Sequence, residues 1–284
     1  MTTLLSWNVQ NGISVSGERS MKNIAAAIDR HGVPDLICLQ EITRGLALSA
    51  DDVGLDEVAA LSAMYPDHEP VFGAAIDLRL ADGKRAQYGN LVLSRLPVLS
   101  VRCHPLPQPA DPGIRQMPRV AIEVTVQADD GPLRVTSTHL DYFSERQRRA
   151  QIERLREIHA EACELVAIPP PWAEVGPYGR LPQATRALLC GDLNCTDDSA
   201  EHARLVAPQD RPDARLYDAW SVLHGARAHP PTCGVHDHRQ WPMGPHCRDF
   251  FLVSESLIDC LVAFKVDVET AASDHQPLRL TLKG

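Results

Sequence analysis

The chain has 284 residues, 44% of them hydrophobic, enough for a buried interior and close to the upper size of one core, so a single domain over 1–284 is expected. Acidic side chains outnumber basic ones by 37 to 28, giving a formal charge of -9. That balance argues against a broad electrostatic grip on nucleic acid or on an anionic membrane, but leaves room for a local basic cleft.

The start, MTTLLSWNVQNG, reads directly as a strand over Leu4–Val9 rather than as a leader, and no apolar run reaches the roughly 18 residues of a membrane span. Ser20 then caps a helix in which Met21, Ile24, Ala25 and Ile28 share a face, with Gly32 as its stop. Pro34 and Asp35 turn the chain into LICLQ, a short apolar strand expected to end at Glu41. An amphipathic segment follows near Leu55–Met64, then strand-like runs at Glu69–Gly73, Ala75–Leu80 and Asn90–Ser94. Five prolines within 104–118 predict an irregular loop. Arg119–Gln127 and Leu133–His139 form a hairpin about Asp129–Asp130–Gly131. Ser144 and Gln147 suggest a capping box for a long helix whose buried stripe runs from Ile152 to Val166 and which PPPW at 169–172 stops. Leu188–Cys190, Phe250–Val253, Val262–Val268 and Leu278–Leu282 complete the strands.

This order shows no repeating βαβ pattern and no glycine-rich nucleotide loop, and it favours two packed mixed sheets covered by helices. Of the eight cysteines, several sit in apolar runs such as LICLQE and ALLCGDLNC, where a buried thiol needs no bridge. A reducing, cytoplasmic setting is therefore expected.

The informative positions are those where polar side chains interrupt apolar strands: Asn8 in SWNVQN, Glu41 in ICLQE, His139 and Asp141 in STHLD, Asp192 and Asn194 in CGDLN, Asp249 in CRDFFLVSE, and Asp274 with His275 in SDHQPL. On extended backbone, i and i+2 point the same way, so H-x-D and D-x-N pairs are expected to aim into one cleft. Oxygen ligands suit Mg²⁺ or Mn²⁺, which makes Glu41 and Asp274 metal anchors and Asp192 a base for water. Asp249 is placed to orient His275, and neutral Asn8 and Asn194 to position water or phosphate. Each residue alone has an ordinary reading as a cap, a turn or a surface charge. Their occurrence together, in this order, outweighs those readings.

The set WN at 7–8, LQE at 39–41, YGN at 88–90, THLD at 138–141, GDLN at 191–194, DFFLVS at 249–254 and SDHQPL at 273–278 resembles the endonuclease/exonuclease/phosphatase family, over nearly the whole chain. The resemblance implies a DNase I-like α/β fold, a four-layer sandwich of two central mixed β-sheets flanked by helices. It implies a metal site at Glu41, Asn8 and Asp274, water activation by Asp192, and Asn194 beside the phosphate. His275 paired with Asp249 would stabilise the transition state, and His139 would approach the phosphate or leaving group. Tyr88 and Arg119 match phosphate-contact or site-ordering positions, although each also reads as ordinary packing or a surface ion pair.

Abasic-site endonucleases usually carry tyrosine where His139 stands, so THLD looks closer to the other phosphodiesterase branches. The long basic motifs of inositol polyphosphatases are missing, as is a basic–aromatic stripe for tracking DNA. The expected activity is a Mg²⁺- or Mn²⁺-dependent phosphodiesterase using direct water attack, with a DNA or RNA nuclease or a catalytically silent scaffold as alternatives. Its expected partner is a phosphodiester small molecule, a lipid headgroup or a nucleic acid, with no obligate protein partner. Trp241, in TCGVHDHRQWPMGPHC, offers a flat surface to a ring, base or lipid, and Trp172 a second. Cys233, His236, His238, His246 and Cys247 carry zinc-type donors without a finger spacing, so ordinary loop packing is the leading reading there.

Overall fold

Runs such as Leu36–Leu39 and Phe250–Val253 are apolar at every position, a pattern that suits strands buried on both faces. The computed structural model, which describes residues 1–48, 54–169 and 176–284, places them in that environment. In chain order the elements are β1 (Thr2–Asn8), α1 (Met21–Asp29), β2 (Leu36–Arg44), α2 (Glu57–Met64), β3 (Glu69–Arg79), β4 (Arg85–Ser94), β5 (Val98–Pro105), β6 (Val120–Ala128), β7 (Gly131–His139), α3 (Glu145–Ala167), β8 (Ala187–Asp192), α4 (Ala200–Val206), β9 (Leu216–Asp218), α5 (Ala219–His224), β10 (Asp249–Ser254), β11 (Leu261–Val266) and β12 (Leu278–Leu282). They make two mixed sheets, ordered β11-β12-β1-β2-β4-β3 and β5-β6-β7-β8-β10-β9.

Alternation along each strand divides the interior. Leu4, Leu36, Cys38 and Val92 meet Ile122, Val135, Leu188, Cys190 and Phe251 between the sheets. Leu5, Ile37, Leu39 and Leu91 face Ile24, Ile28 and Leu61 of α1 and α2 on the outer side. On the opposite outer side, Leu189, Phe250 and Leu252 pack with Ile152, Leu155 and Leu205 of α3 and α4. The result is the expected four-layer sandwich.

Each sheet is built around a parallel pair joined by a helix, β1–α1–β2 in one and β7–α3–β8 in the other. Two such units are therefore present although no repeating βαβ pattern shows in the sequence, because other elements separate them. Several boundaries also move. Strand β2 does not stop at Glu41 but continues to Arg44 through a one-residue bulge, Leu39 and Ile42 facing Leu91 and Gly89. The two runs expected at 69–80 are one strand, β3. Ser20 and Ser144 cap α1 and α3 as expected, but the box at Ser144 is only half formed. Its amide donates to Asp141 at 2.6 Å, while the Gln147 side chain reaches Pro109 and Gln116. Trp172 lies outside the described residues.

Under the second sheet, Arg134 is buried and pairs with Glu123 at 3.0 Å. Its guanidinium also donates to His159 Nδ1 at 2.6 Å, which requires that nitrogen to be unprotonated. Burial, reinforced by the Arg134 charge, pushes His159 down to about 3. An unfolded histidine titrates near about 6.5, so between those values only the unfolded chain takes up this proton. The stability tied to neutral His159 is fully present above about 6.5 and falls as the pH drops toward 3. Going from pH 7 to pH 5, wild type should lose about 2 kcal/mol more than His159→Gln, whose amide oxygen still accepts from Arg134. Urea unfolding at the two pH values checks this, and parallel losses in both proteins would refute it.

Candidate active site

The parallel strand pairs end at the same edge of the sandwich, and the chain has to bend sharply there. At the β2 bulge Glu41 takes φ 59°, and after β8 Asn194 takes φ 50°. A left-handed backbone is uncommon for residues with a Cβ and gathers where a side chain must be aimed. Asn11 steadies the first bend by donating to the Glu41 carbonyl at 2.8 Å. Gly191, at φ 137°, has a different reason for being glycine: a Cβ there would lie 1.8 Å from the Thr138 carbonyl oxygen. Close approach of β7 to β8 thus puts His139 directly beside Asp192.

Between the sheet ends opens a cleft of about 450 Å³, lined by Asn8, Glu41, Tyr88, Arg119, His139, Asp192, Asn194, Trp241, Asp274 and His275. Asp249 sits just behind it. Of the residues named from the sequence, Asn8, Glu41, Tyr88, Arg119, His139, Asp192, Asn194, Trp241, Asp249, Asp274 and His275 are therefore in or against this cleft. Asp141 is not, because β7 ends at His139 and the next turn sends Asp141 to the start of α3. Asp192 and Asn194 do converge, but through the left-handed turn rather than by strand alternation. The Asn194 amide nitrogen donates to Asp192 Oδ1 at 2.9 Å.

His275 lies between two acids. Its Nδ1 is 2.8 Å from Asp249 Oδ2, and its Nε2 is 3.6 Å from Asp192 Oδ2. Thr232 donates to the same Asp249 oxygen at 2.6 Å, fixing the carboxylate from behind. The ligand atoms of Asp192, Asp249 and His275 all lie within 4.8 Å of one another, and all three residues are buried. Trp7 and Ser273 tie this loop to β1, the indole donating to the His275 carbonyl at 2.9 Å and the hydroxyl to the Asn8 carbonyl at 2.8 Å.

Burial by itself would lower the pKa of His275, but the charges of Asp249, Asp192 and Asp274 outweigh it and raise it well above the ordinary value. Burial pushes Asp249 up, and the imidazolium pulls it back only in part. Asp192 shows the reverse balance. Burial raises it, but the His275 charge and the donors from Asn8 and Asn194 hold it below the usual carboxylate range. Burial and the Arg119 charge keep His139 neutral, well below its ordinary pKa. Asn194 Nδ2 donates to His139 Nε2 at 3.0 Å, which leaves the proton on Nδ1. That buried N–H has no hydrogen-bond partner and stands 3.9 Å from Glu41.

At the other end of the cleft, burial and the Asp274 charge both raise Glu41. Asn8 bridges the two ends, donating through Nδ2 to Glu41 and to Asp192 at 3.0 Å each. Its oxygen accepts from the Gln10 amide at 3.1 Å. Trp241 is placed differently from the flat open surface expected of it. It is only 4% exposed, its indole N–H donates to Asp274 at 3.2 Å, and the Arg248 guanidinium lies 5.0 Å from its ring centre. Gln240, not singled out from the sequence, donates to the same Asp274 oxygen at 2.8 Å. Tyr88 is buried against the cleft, which keeps its phenol protonated.

Arg119 is 6% exposed, and its Nε and Nη1 have no hydrogen-bond partner. The five zinc-type donors of the 233–247 loop do not gather. Cys233 meets His246 at 3.2 Å, Cys247 lies against His229, and His236 bonds to the Val268 carbonyl. Thr232, Gln240, Tyr142, Phe143, Arg115 and Arg248 went unnoticed in the sequence; the aromatic pair immediately after THLD was the one signal available.

Among solved structures the chain is similar to an endonuclease/exonuclease/phosphatase from Beutenbergia cavernae, at 22% identity and a TM-score of 0.70 over 100% of this chain and 72% of that one. It is also similar to a protein of that description from Bacteroides vulgatus, at 18% identity and a TM-score of 0.68 over 99% and 98% of the two chains. A third likeness is to the Neisseria 3′ phosphatase NExo bound to product DNA hairpin, at 18% identity and a TM-score of 0.63 over 100% of both chains. No curated protein sequence matches significantly. The model of the Endonuclease/Exonuclease/phosphatase family matches residues 5–275, and with that span the chain belongs to the family.

Proposed function

We propose that residues 1–284 form a single catalytic domain that hydrolyses phosphodiesters by direct attack of water, with Mg²⁺ or Mn²⁺ as cofactor. The observation that carries this reading is the meeting, in one cleft, of a buried Asp249–His275–Asp192 triad and a buried arginine, Arg119, whose Nε and Nη1 have no hydrogen-bond partner among the described residues. A triad of this kind handles a proton, and a guanidinium with unmet donors fits a phosphate. The relatedness to a 3′ phosphatase found with product DNA agrees with phosphoester chemistry on this fold.

The residues fit a hard cation at the acid-rich end. Glu41 is raised by burial and then by the Asp274 charge, and among the described residues it has one side-chain donor, Asn8, so the donor set is oxygen-rich and short of positive charge. When bound there, a divalent cation would draw charge from the phosphoryl oxygens. Asp192 takes the proton of the attacking water, His275 donates to a phosphoryl oxygen, and Asn194 holds His139 with its Nδ1–H facing the cleft. Arg119 pairs with the phosphate, and Tyr88 packs the wall beside it. Asn8 orients Glu41 at the cation, and Trp241 with Gln240 orients Asp274.

Among the described residues no helix is long and apolar enough to cross a membrane. All eight cysteines are free, and the Cys38 thiol, raised by its contact with Cys190 and by burial, is inert. From these thiols we infer a cytoplasmic setting.

Chelation with EDTA should reduce hydrolysis of bis(p-nitrophenyl) phosphate to background, and added Mg²⁺ or Mn²⁺ should restore it. The same ions should raise the melting temperature of wild type but not of Glu41→Gln. Full turnover in excess chelator would overturn the metal-dependent reading.

A further inference from the structure

We propose that Tyr142 and Phe143 form a stacking platform for the base of a nucleotide, so that the substrate is a phosphoester of an unstacked nucleotide unit; the proposal rests on the phosphoesterase reading above. Both residues line the cleft, in the turn that follows His139. They are 40% and 51% exposed, and their rings meet edge to face at 4.8 Å. Tyr142 also meets the buried Trp241 edge to face at 5.9 Å, which leaves Phe143 as the large ring at the mouth of a polar cleft with no packing role that requires it there.

The charge around the rings selects their occupant. Arg115 lies 5.2 Å from the centre of Phe143, and Arg248 lies 5.3 Å from the centre of Tyr142. Among the described residues these arginines and Arg119 form no ion pair with a carboxylate, in a chain whose net charge is -9. A choline-type headgroup also seeks aromatic faces, but here it would meet a guanidinium on each ring. A nucleotide matches both features: its base has a π-face for the rings, and its phosphate is an anion for the arginines. Bases inside a duplex already stack on one another, which leaves a single-stranded end or a free nucleotide unit as the form that fits.

The test is calorimetric titration of the full chain with deoxyadenosine 5′-monophosphate, deoxyribose 5-phosphate and phosphocholine. The nucleotide should bind about tenfold more tightly than the base-free sugar phosphate. Phe143→Ala should abolish that difference without weakening the sugar phosphate, and Phe143→Trp should restore it. Phe143 is exposed, so the variants should melt like wild type. Equal binding of nucleotide and sugar phosphate, tighter binding of phosphocholine, or a difference that survives in Phe143→Ala would each overturn the platform. Metal-dependent hydrolysis of bis(p-nitrophenyl) phosphate by wild type reports separately on the parent reading. Hydrolysis without a base preference sinks the platform alone, whereas a base preference without hydrolysis of any ester sinks the phosphoesterase reading and the substrate claim with it, leaving the platform as a nucleotide-binding surface.

Discussion

Asp192→Asn should lower the single-turnover rate about 1,000-fold while leaving the fold intact, in keeping with the removal of a positioned general base. The side chain is buried between His139 and His275, 3.4 Å and 3.6 Å from their Nε2 atoms. Its carboxyl is held below the usual range, so the proposed base is ionised through the neutral region and its protonation should lower the wild-type rate only in acid. Asparagine has nearly the same shape and its one oxygen can still accept from the Asn194 backbone amide, but it loses the second oxygen that accepts from Asn8 and it takes no proton. The acid limb of the wild-type profile should therefore disappear in the variant, with metal affinity, which the proposed site assigns to Glu41 and Asp274, little changed. Single-turnover rates across pH and metal titration by calorimetry measure both. A metal-saturated, folded variant with near-normal rates would reject Asp192 as the base.

Loss of His275 should cost about 100- to 1,000-fold in turnover, the scale seen when one donor to a developing oxyanion is removed. The carboxylates around it raise its pKa well above the ordinary value, so it is a cationic donor at neutral pH. Activity that depends on this cation is present at neutral pH and declines as the pH rises through the raised value. His275→Ala and His275→Gln should both lack that alkaline limb. The imidazole packs edge-on to Trp241 with centroids 5.6 Å apart, so the alanine variant is expected to melt lower as well. The glutamine variant keeps more of the volume and separates chemistry from packing. An unchanged alkaline limb in either variant would remove His275 from the reaction.

Much of this arrangement was legible because the buried strands are apolar at every position and stop on polar residues. LICLQE, ALLCGD and DFFLV announced central strands, and their polar ends marked one edge of the sandwich. Ser20 and Ser144 announced their helices through the hydrogen-bonding habit of a hydroxyl at an N-cap. Strand β5 escaped notice because VLSVRCHP alternates between partly buried and exposed positions at a sheet edge. The short elements α4, β9 and α5 are set by tertiary packing, for instance by Asp218, which caps α5 and binds both His202 and His229. Trp241 misled for a different reason. Composition records that an indole is present, but not that its N–H is bound to Asp274 and its face covered by Arg248. The bend at Glu41 was equally hidden, since nothing in LQEIT signals a bulge.

The two βαβ units give the cleft matching halves with unlike chemistry. Strand β1 ends on Asn8 and its partner bends at Glu41; strand β7 ends on His139 and its partner ends on Asp192. On the first side acid accumulates, since Glu41 faces the Asp274 charge. On the second, the acid is flanked by two imidazoles. A near-symmetric frame that carries different charges at its two ends has a direction, and a phosphodiester lying across it is no longer free to turn end for end. Which of its two ester bonds breaks would then be decided by how the chain enters, so an asymmetric diester should yield one pair of products rather than a mixture.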